Sequence, residues 1–242
     1  MQCLFNEKVS REKKASLKGK EFATMDYEVM IKKFDKKFQA NNFNGEIDKK
    51  DKSYQYLQGK VPVLISAPHS VKQIRNGKEK LWDGFTGALS QVLYATTNCH
   101  TIYKKYNDGT DANYDLKDNG YKDKVLKIIK EHKIKIFIDL HAAAPHRKFD
   151  IDIATDYQNT LNGNLQAQIK LIEILKKHNI KNVKTNHVFT ATNPNTVTKN
   201  TSIKTNIPCM ELEINSNCIM LENLENFVNI INALKEFIGA YK

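Results

Sequence analysis

The chain has 242 residues, of which 40% are hydrophobic and 27% are charged, a composition that suits one sizeable soluble core. No apolar run approaches the length of about 20 residues that a helix needs to cross a bilayer. The N-terminal stretch lacks the apolar segment of a secretory signal, so we expect a cytoplasmic protein. Four cysteines, none of them in a CxxC pair, fit reduced thiols in that compartment.

The net charge of +11 comes mainly from lysines, since Arg11, Arg75 and Arg147 are the only arginines. Surfaces that bind nucleic acids rely on arginine for two-point contacts, and no arginine-rich stripe interleaved with aromatic residues is present. We therefore expect no nucleic-acid partner and no membrane partner. A basic protein that binds another polyanion stays an alternative.

Residues 1–58 carry no visible chemistry. Within them, residues 25–38 place apolar side chains such as Tyr27 and Phe34 at helical spacing, which predicts an amphipathic helix. Residues 41–52 are polar and predict a turn or linker. We expect residues 1–58 to form an N-terminal extension packed on the main domain. Two alternatives for this extension are a lid and a contact to a second subunit, the latter of which would make the protein a homo-oligomer.

From residue 59 onward, the pattern predicts a single α/β domain with a mixed central β-sheet flanked by helices on both faces. Strands are predicted at Val61–Ala67, Cys99–Lys104, 134–140, 149–155 and Cys209–Asn215, and helices at 84–97 or 86–97, 120–133, 165–178 and 222–237. The polar segments 68–83, 107–115 and 185–206 are predicted loops.

Two of the predicted strands end in a histidine. His69 comes just after the first strand, and His141 comes two residues after Asp139 at the end of another buried strand. In open α/β sheets, ligands bind at the carboxyl ends of strands, so both imidazoles are candidate metal ligands or general bases. The alternative is a buried histidine that only makes a structural hydrogen bond.

The strand Cys209–Asn215 alternates, so Glu211 and Glu213 share one face. Two histidines, a nearby carboxylate and a further glutamate match the requirements of a hydrolytic zinc site. The segment 185–206, rich in Thr and Asn, is expected to form a loop over this site. Use of His146 or His187 as a ligand is a further alternative.

Three short motifs, SAPHS, DLHAAAP and MELEIN, occur in this order along the chain. Together they resemble the N-formylglutamate amidohydrolase family, which is related to the zinc metallocarboxypeptidases and the aspartoacylase-type amidohydrolases. The resemblance covers about residues 61–242. It implies that residues 59–242 form a catalytic domain with a zinc carboxypeptidase-like fold.

The resemblance also implies a ligand set for Zn²⁺, namely His69, Asp83 and His141. Carboxypeptidases place a glutamate three residues after the first histidine, but Lys72 stands there in this chain. The amidohydrolases place a carboxylate further on, just ahead of a helix, where this sequence has Asp83. Glu79 is the second choice. Asp83 is also a favoured residue for capping that helix.

The family often has an Asn-Arg pair at about residue 113, whereas here Asn113 is followed by Tyr114. This departure affects the expected substrate contacts. We predict Arg147, Asn113 and Arg75 as substrate-binding residues, because an arginine matches a carboxylate at two points. A surface salt bridge or plain solvation is the alternative for each arginine.

By resemblance, the catalytic base is Glu213, with Glu211 as the alternative, and Asp139 orients a metal ligand. The expected reaction is hydrolysis of an amide bond in an N-acyl amino acid or a small peptide-like substrate. The substrate is therefore the expected partner. Two other classes stay open, a non-catalytic binding protein on a degenerate hydrolase fold and the basic polyanion-binding protein.

Overall fold

The computed structural model describes residues 26–46, 52–118 and 120–242. Most of the predicted extension, residues 1–25 and 47–51, lies outside the described residues. The helices are α1 (26–43), α2 (Thr86–Thr97), α3 (Tyr121–His132), α4 (Leu165–Lys177), α5 (Val197–Thr205) and α6 (Leu224–Gly239). The strands are β1 (Tyr54–Leu57), β2 (Val61–Ala67), β3 (Gln73–Arg75), β4 (Lys78–Lys80), β5 (Cys99–Lys104), β6 (Ile136–Ala143), β7 (Ile151–Ala154), β8 (Val183–Thr185) and β9 (Cys209–Asn215).

Seven strands form one sheet in the order β1-β5-β2-β6-β9-β7-β8. The four central strands β5, β2, β6 and β9 run parallel. The edge strand β1 is antiparallel to β5, and β7 is antiparallel to β9. The predicted mixed sheet is therefore confirmed, and the carboxyl ends of β2, β6 and β9 meet at one edge of it. Strands β3 and β4 form a separate hairpin after β2.

Helices cover both faces of the sheet, as predicted. Ile65 and Ile138 point into a large core formed with α1, α2, α4 and α6. Leu64 and Phe137, their neighbours in sequence, point into a second core formed with α3 and α5. Because the central strands are buried on both sides, they read as continuous apolar runs in the sequence.

Helices α1 and α2 approach each other closely beside the first histidine. At Gly87 in α2, an added Cβ would lie 2.5 Å from the Phe38 ring of α1 and 2.7 Å from the Cβ of Ser70. Only the absence of a side chain allows this contact. The helix from the N-terminal part of the chain therefore packs directly behind the segment that carries His69.

Several predicted boundaries differ from those in the structure. The segment 185–206 was predicted as a loop, but Val197–Thr205 is helix α5. Its Thr- and Asn-rich sequence has low helix propensity, and the helix is held by burial of Val197 and Thr201 and by the Thr196 side chain, which accepts from the Lys199 amide. Residues 41–43, predicted within a linker, continue α1. No helix of the described residues is long and apolar enough to cross a membrane.

Candidate metal centre and cavity

The candidate site lies where the central parallel strands end. His69 follows β2, and His141 lies near the end of β6. Across the β6–β9 pair, His141 is the register partner of Glu213 and Asp139 is the register partner of Glu211. The strand geometry therefore places all four of these side chains, two from each strand, on the same face of the sheet.

Three buried side chains converge on one point. Nδ1 of His69 lies 3.2 Å from Oδ2 of Asp83, and Nδ1 of His141 lies 2.8 Å from the same oxygen. One candidate ligand atom from each residue lies within 4.8 Å of the other two. Two imidazole nitrogens and a carboxylate oxygen are donors that Zn²⁺ accepts, so the residues present fit a metal ion with three protein ligands.

The structure differs from two alternatives for the carboxylate ligand, a capping role for Asp83 and the use of Glu79 in its place. The residue that caps α2 is Phe85, and no side chain bonds to the first turn. The Asp83 carboxylate instead faces the imidazoles, while its main-chain oxygen accepts from the Thr86 hydroxyl at 2.7 Å. Glu79 pairs with Lys72 at 2.9 Å and is half-exposed, away from the cluster. The capping role predicted as an alternative for Asp83 is therefore wrong for its side chain.

Each histidine is held from behind by a second carboxylate. Nε2 of His69 lies 2.8 Å from Oδ1 of Asp111, and Nε2 of His141 lies 3.4 Å from Oδ2 of Asp139. A carboxylate on the far nitrogen fixes the orientation of an imidazole and leaves the near nitrogen free for a metal. Sequence reasoning gave Asp139 this role but missed Asp111, which lies in the polar segment 107–115.

Charges in the cluster shift several pKa values. Burial alone would raise the pKa of Asp83, but Lys80, His69 and His141 together hold it well below its usual range. Burial alone would lower the pKa of His141, but the carboxylates of Asp139 and Asp83 raise it well above its usual range. In the absence of a metal, the arrangement therefore favours a cation between these carboxylates.

The pKa values of the two glutamates of β9 are raised, whereas that of the Asp83 carboxylate is lowered. Burial raises the pKa of Glu211 to about 7 and that of Glu213 to about 8, against the opposing charge of His141. Oε2 of Glu211 and Oδ1 of Asp139 are buried and have no hydrogen-bond partner among the described residues. Buried acceptors of this kind need a donor, which a proton, a water molecule or a cation can supply.

A cavity of about 510 Å³ opens onto the cluster. Its lining combines the metal-centre side chains with cationic, small and uncharged polar residues: His69, Arg75, Lys80, Asp83, Asn113, Tyr114, His141, Ala142, Ala143, Ala144, Arg147, Val188, Phe189, Thr190, Ala191, Thr192, Asn193, Thr196, Glu211 and Glu213. The size suits a small ligand. His146 and His187, the alternative ligands, are exposed and are not among these lining residues.

The three predicted substrate-binding residues all line this cavity but are held differently. Nε of Arg75 donates to Asp111 at 2.8 Å, and its guanidinium lies 4.8 Å from the centre of the Tyr114 ring. Arg147 is exposed at the rim, 5.8 Å from the Phe189 ring. The Asn113 side chain accepts from the Val197 amide at 2.7 Å. Arg75 is thus already paired, and Arg147 is the more exposed cation.

Two further residues of the site escaped sequence reasoning. The ammonium group of Lys80 lies 3.2 Å from Nδ1 of His69 and 3.5 Å from Asp83. Asp152 on β7 accepts from the amides of residues 187–189 at 2.7 to 3.1 Å and so fixes the start of the loop over the cavity. Asp152 lies in the predicted strand 149–155, but nothing in the sequence indicated this contact.

No protein-family model and no curated protein matches the sequence. Solved structures do share the fold. A gene product of Agrobacterium tumefaciens superposes with a TM-score of 0.55 at 12% identity, over 79% of this chain and 94% of that one. A bacteriophage poly-gamma-glutamate hydrolase gives a TM-score of 0.54 at 13% identity, over 81% of this chain and 92% of the other.

A protein from Shewanella denitrificans assigned as a carboxypeptidase A gives a TM-score of 0.50 at 11% identity, over 77% of this chain and 61% of that one. At such identities the likeness concerns the fold. The seven-stranded mixed sheet and its two helical layers agree with it. The chain therefore has the zinc carboxypeptidase-like α/β fold that its sequence motifs predicted.

Proposed function

We propose that the chain is a zinc-dependent hydrolase that cleaves an amide bond of an N-acyl amino acid or a small peptide-like substrate. The observation that supports this most directly is the convergence of His69, Asp83 and His141 within 4.8 Å at the base of a cavity. All of the cavity-lining residues lie between positions 69 and 213. Residues 59–242 would then be the catalytic domain, and residues 1–58 an extension.

His69, Asp83 and His141 would hold the metal ion. When bound, the ion supplies Lewis-acid activation of the scissile carbonyl and lowers the pKa of a water molecule. Asp111 and Asp139 keep the two imidazoles oriented through their far nitrogens. The chain thus provides both the ligands and the groups that position them.

Glu213 is the proposed general base. It is the register partner of His141, lines the cavity and is buried. Its carboxyl group would take a proton from the attacking water and return it to the leaving nitrogen. In the metal-free protein burial raises the pKa of Glu213 to about 8, and a bound cation beside it would lower that pKa toward the range in which the carboxylate accepts a proton. Glu211, which lies two residues earlier on β9 opposite Asp139, is the alternative base.

The cations of the cavity indicate an anionic substrate. Arg147, Arg75 and Lys80 all line it, and we propose that Arg147 and Asn113 contact the substrate. Lys80 is the cation nearest to the metal ligands, with its ammonium group 3.2 Å from Nδ1 of His69, so it adds positive charge at the base of the cavity. The shared fold with a poly-gamma-glutamate hydrolase makes γ-glutamyl amides part of the panel worth testing.

The test begins with elemental analysis of the purified protein and of His69→Ala, His141→Ala and the surface control His178→Ala. We expect about one zinc ion per chain in wild type and in the control, and loss of zinc in both cavity variants. Wild type is then assayed on N-formyl, N-acetyl and γ-glutamyl amino acids. A protein that binds no metal and gains no activity with added zinc would disprove the hydrolase and favour a binding protein on this fold.

A further inference from the structure

Lys122 is a buried cation that the proposed reaction does not use. It lies on α3, with its side chain 7% exposed. Its ammonium group donates to three main-chain carbonyl oxygens, those of Ala112 and Asn195 at 3.1 Å each and that of Asp115. The closest carboxylate oxygen recorded for it, on Asp118, is 3.9 Å away. All three N–H donors of the ammonium are therefore directed at main chain.

The acceptors belong to two segments that face the cavity from different sides. The wall segment, residues 111–115, carries Asp111 behind His69 and presents Asn113 to the cavity. The roof segment, residues 188–196, contributes most of the uncharged polar lining. Lys122 itself is not among the described residues that line the cavity. It joins wall and roof from behind.

The roof segment is fixed at both of its ends, and between them the Thr190 carbonyl accepts from the Asp156 amide at 2.7 Å. At its start, Asp152 accepts three amides of residues 187–189. At its end, Lys122 binds the Asn195 carbonyl, and the Asn113 side chain accepts from the Val197 amide at 2.7 Å. Between these anchors the roof presents uncharged polar side chains to the cavity. The wall-to-roof distance is therefore set by Lys122 and Asn113.

Burying an ammonium group is unfavourable, and burial lowers the pKa of Lys122. An apolar side chain of the same length would avoid that cost but would leave three carbonyl oxygens without this donor. The ammonium group of Lys122 therefore fixes the position of both segments, because it binds carbonyl oxygens of each. We therefore infer that the buried ammonium group serves to position the two segments, because its burial is unfavourable for the stability of the fold.

We propose that Lys122 is a positioning residue, which holds the wall and roof segments at the separation that the substrate requires. This rests on the proposed function, because the substrate is the molecule whose contacts the two segments make. Within the described part of the chain, Lys122 contacts none of the proposed metal ligands, and Asp111, the wall residue behind His69, is held by Arg75. Lys122 should therefore affect the binding of substrate more than the chemical step.

The test compares Lys122→Met with Lys127→Met, an exposed lysine on the same helix whose side chain is 63% exposed. Amide hydrogen exchange is measured on wild type and both variants, together with zinc content, KM and kcat. For Lys122→Met we expect exchange in residues 112–115 and 193–197 to accelerate, KM to rise about tenfold, kcat to stay within about threefold, and zinc content to be unchanged. Lys127→Met should match wild type.

Lys122→Gln, which keeps two N–H donors, provides a second variant if Lys122→Met does not fold, and it should show smaller changes in the same direction. Unchanged exchange in the two segments would overturn the proposal, as would a fall in kcat with unchanged KM. If wild type hydrolyses none of the amides, the proposed function fails, and the exchange rates alone then decide whether Lys122 couples the two segments.

Discussion

Asp111 offers a direct test of how the candidate metal centre is held together. Its Oδ1 lies 2.8 Å from Nε2 of His69 and accepts from the Asn113 amide at 2.9 Å. Its Oδ2 accepts from Nε and Nη2 of Arg75, both at 2.8 Å. We predict that Asp111→Asn weakens zinc binding while leaving all three proposed ligands in place.

The expected size follows from these contacts. Removing a carboxylate behind a metal-binding histidine typically costs about 10- to 100-fold in affinity, or roughly 1.4 to 2.7 kcal/mol. In Asp111 both oxygens are already occupied by donors, so the amide nitrogen of an asparagine must face another N–H group in either orientation. The loss should therefore fall near the upper end, at about 100-fold.

The assay is competition for zinc between the protein and a chelator of known affinity, at neutral pH. Asp123→Asn is the control, because Asp123 is an exposed carboxylate on α3. The control should bind zinc as wild type does. If Asp111→Asn changed the zinc Kd by less than about threefold, His69 would not depend on Asp111 and the proposed orienting role of this carboxylate would be wrong.

Three further predictions concern other parts of the molecule. Burial raises the pKa of Glu211 from 4.5 to about 7 and that of Glu213 to about 8, so the folded metal-free protein binds more protons than the unfolded chain in this range. Its Tm should therefore fall as pH rises from about 4.5 to about 8, and Glu213→Gln should flatten that slope. Gly87→Ala should destabilise the protein by roughly 1 to 3 kcal/mol in urea unfolding, because the added methyl group overpacks the α1–α2 contact. Arg147→Ala should raise KM about tenfold for an anionic substrate and leave zinc content unchanged, whereas exposed Lys148→Ala should leave KM unchanged.

The sequence was informative where chemistry coincides with strand ends. His69 and His141 were identifiable because each lies at the end of an apolar run, and the parallel strands bring such ends together. Glu213 lies on an alternating strand, and its role as the base was implied by the family resemblance. Asp83 came from the family resemblance, which implies a carboxylate just ahead of a helix. Local pattern was enough to single out the two histidines, the central strands and most helices.

The rest of the site depends on contacts between distant segments, which no local pattern encodes. Asp111 meets His69 across 42 positions, and Lys122 meets Asn195 across 73. Both lie in polar, charged stretches where a solvated residue and a buried partner look the same in sequence. Helix α5 was missed for a related reason, since packing on the sheet, and not propensity, stabilises it.

The three proposed ligands come from separate parts of the chain, the segment after β2, the residue ahead of α2, and β6. A metal ion held by all three would act as a reversible crosslink that closes a loop of the chain from position 69 to position 141. Such a link stabilises the folded state by an amount that grows with the logarithm of the free metal concentration and reaches about 2.7 kcal/mol at 100 times the Kd. The resistance of this protein to unfolding would then report on the metal supply around it.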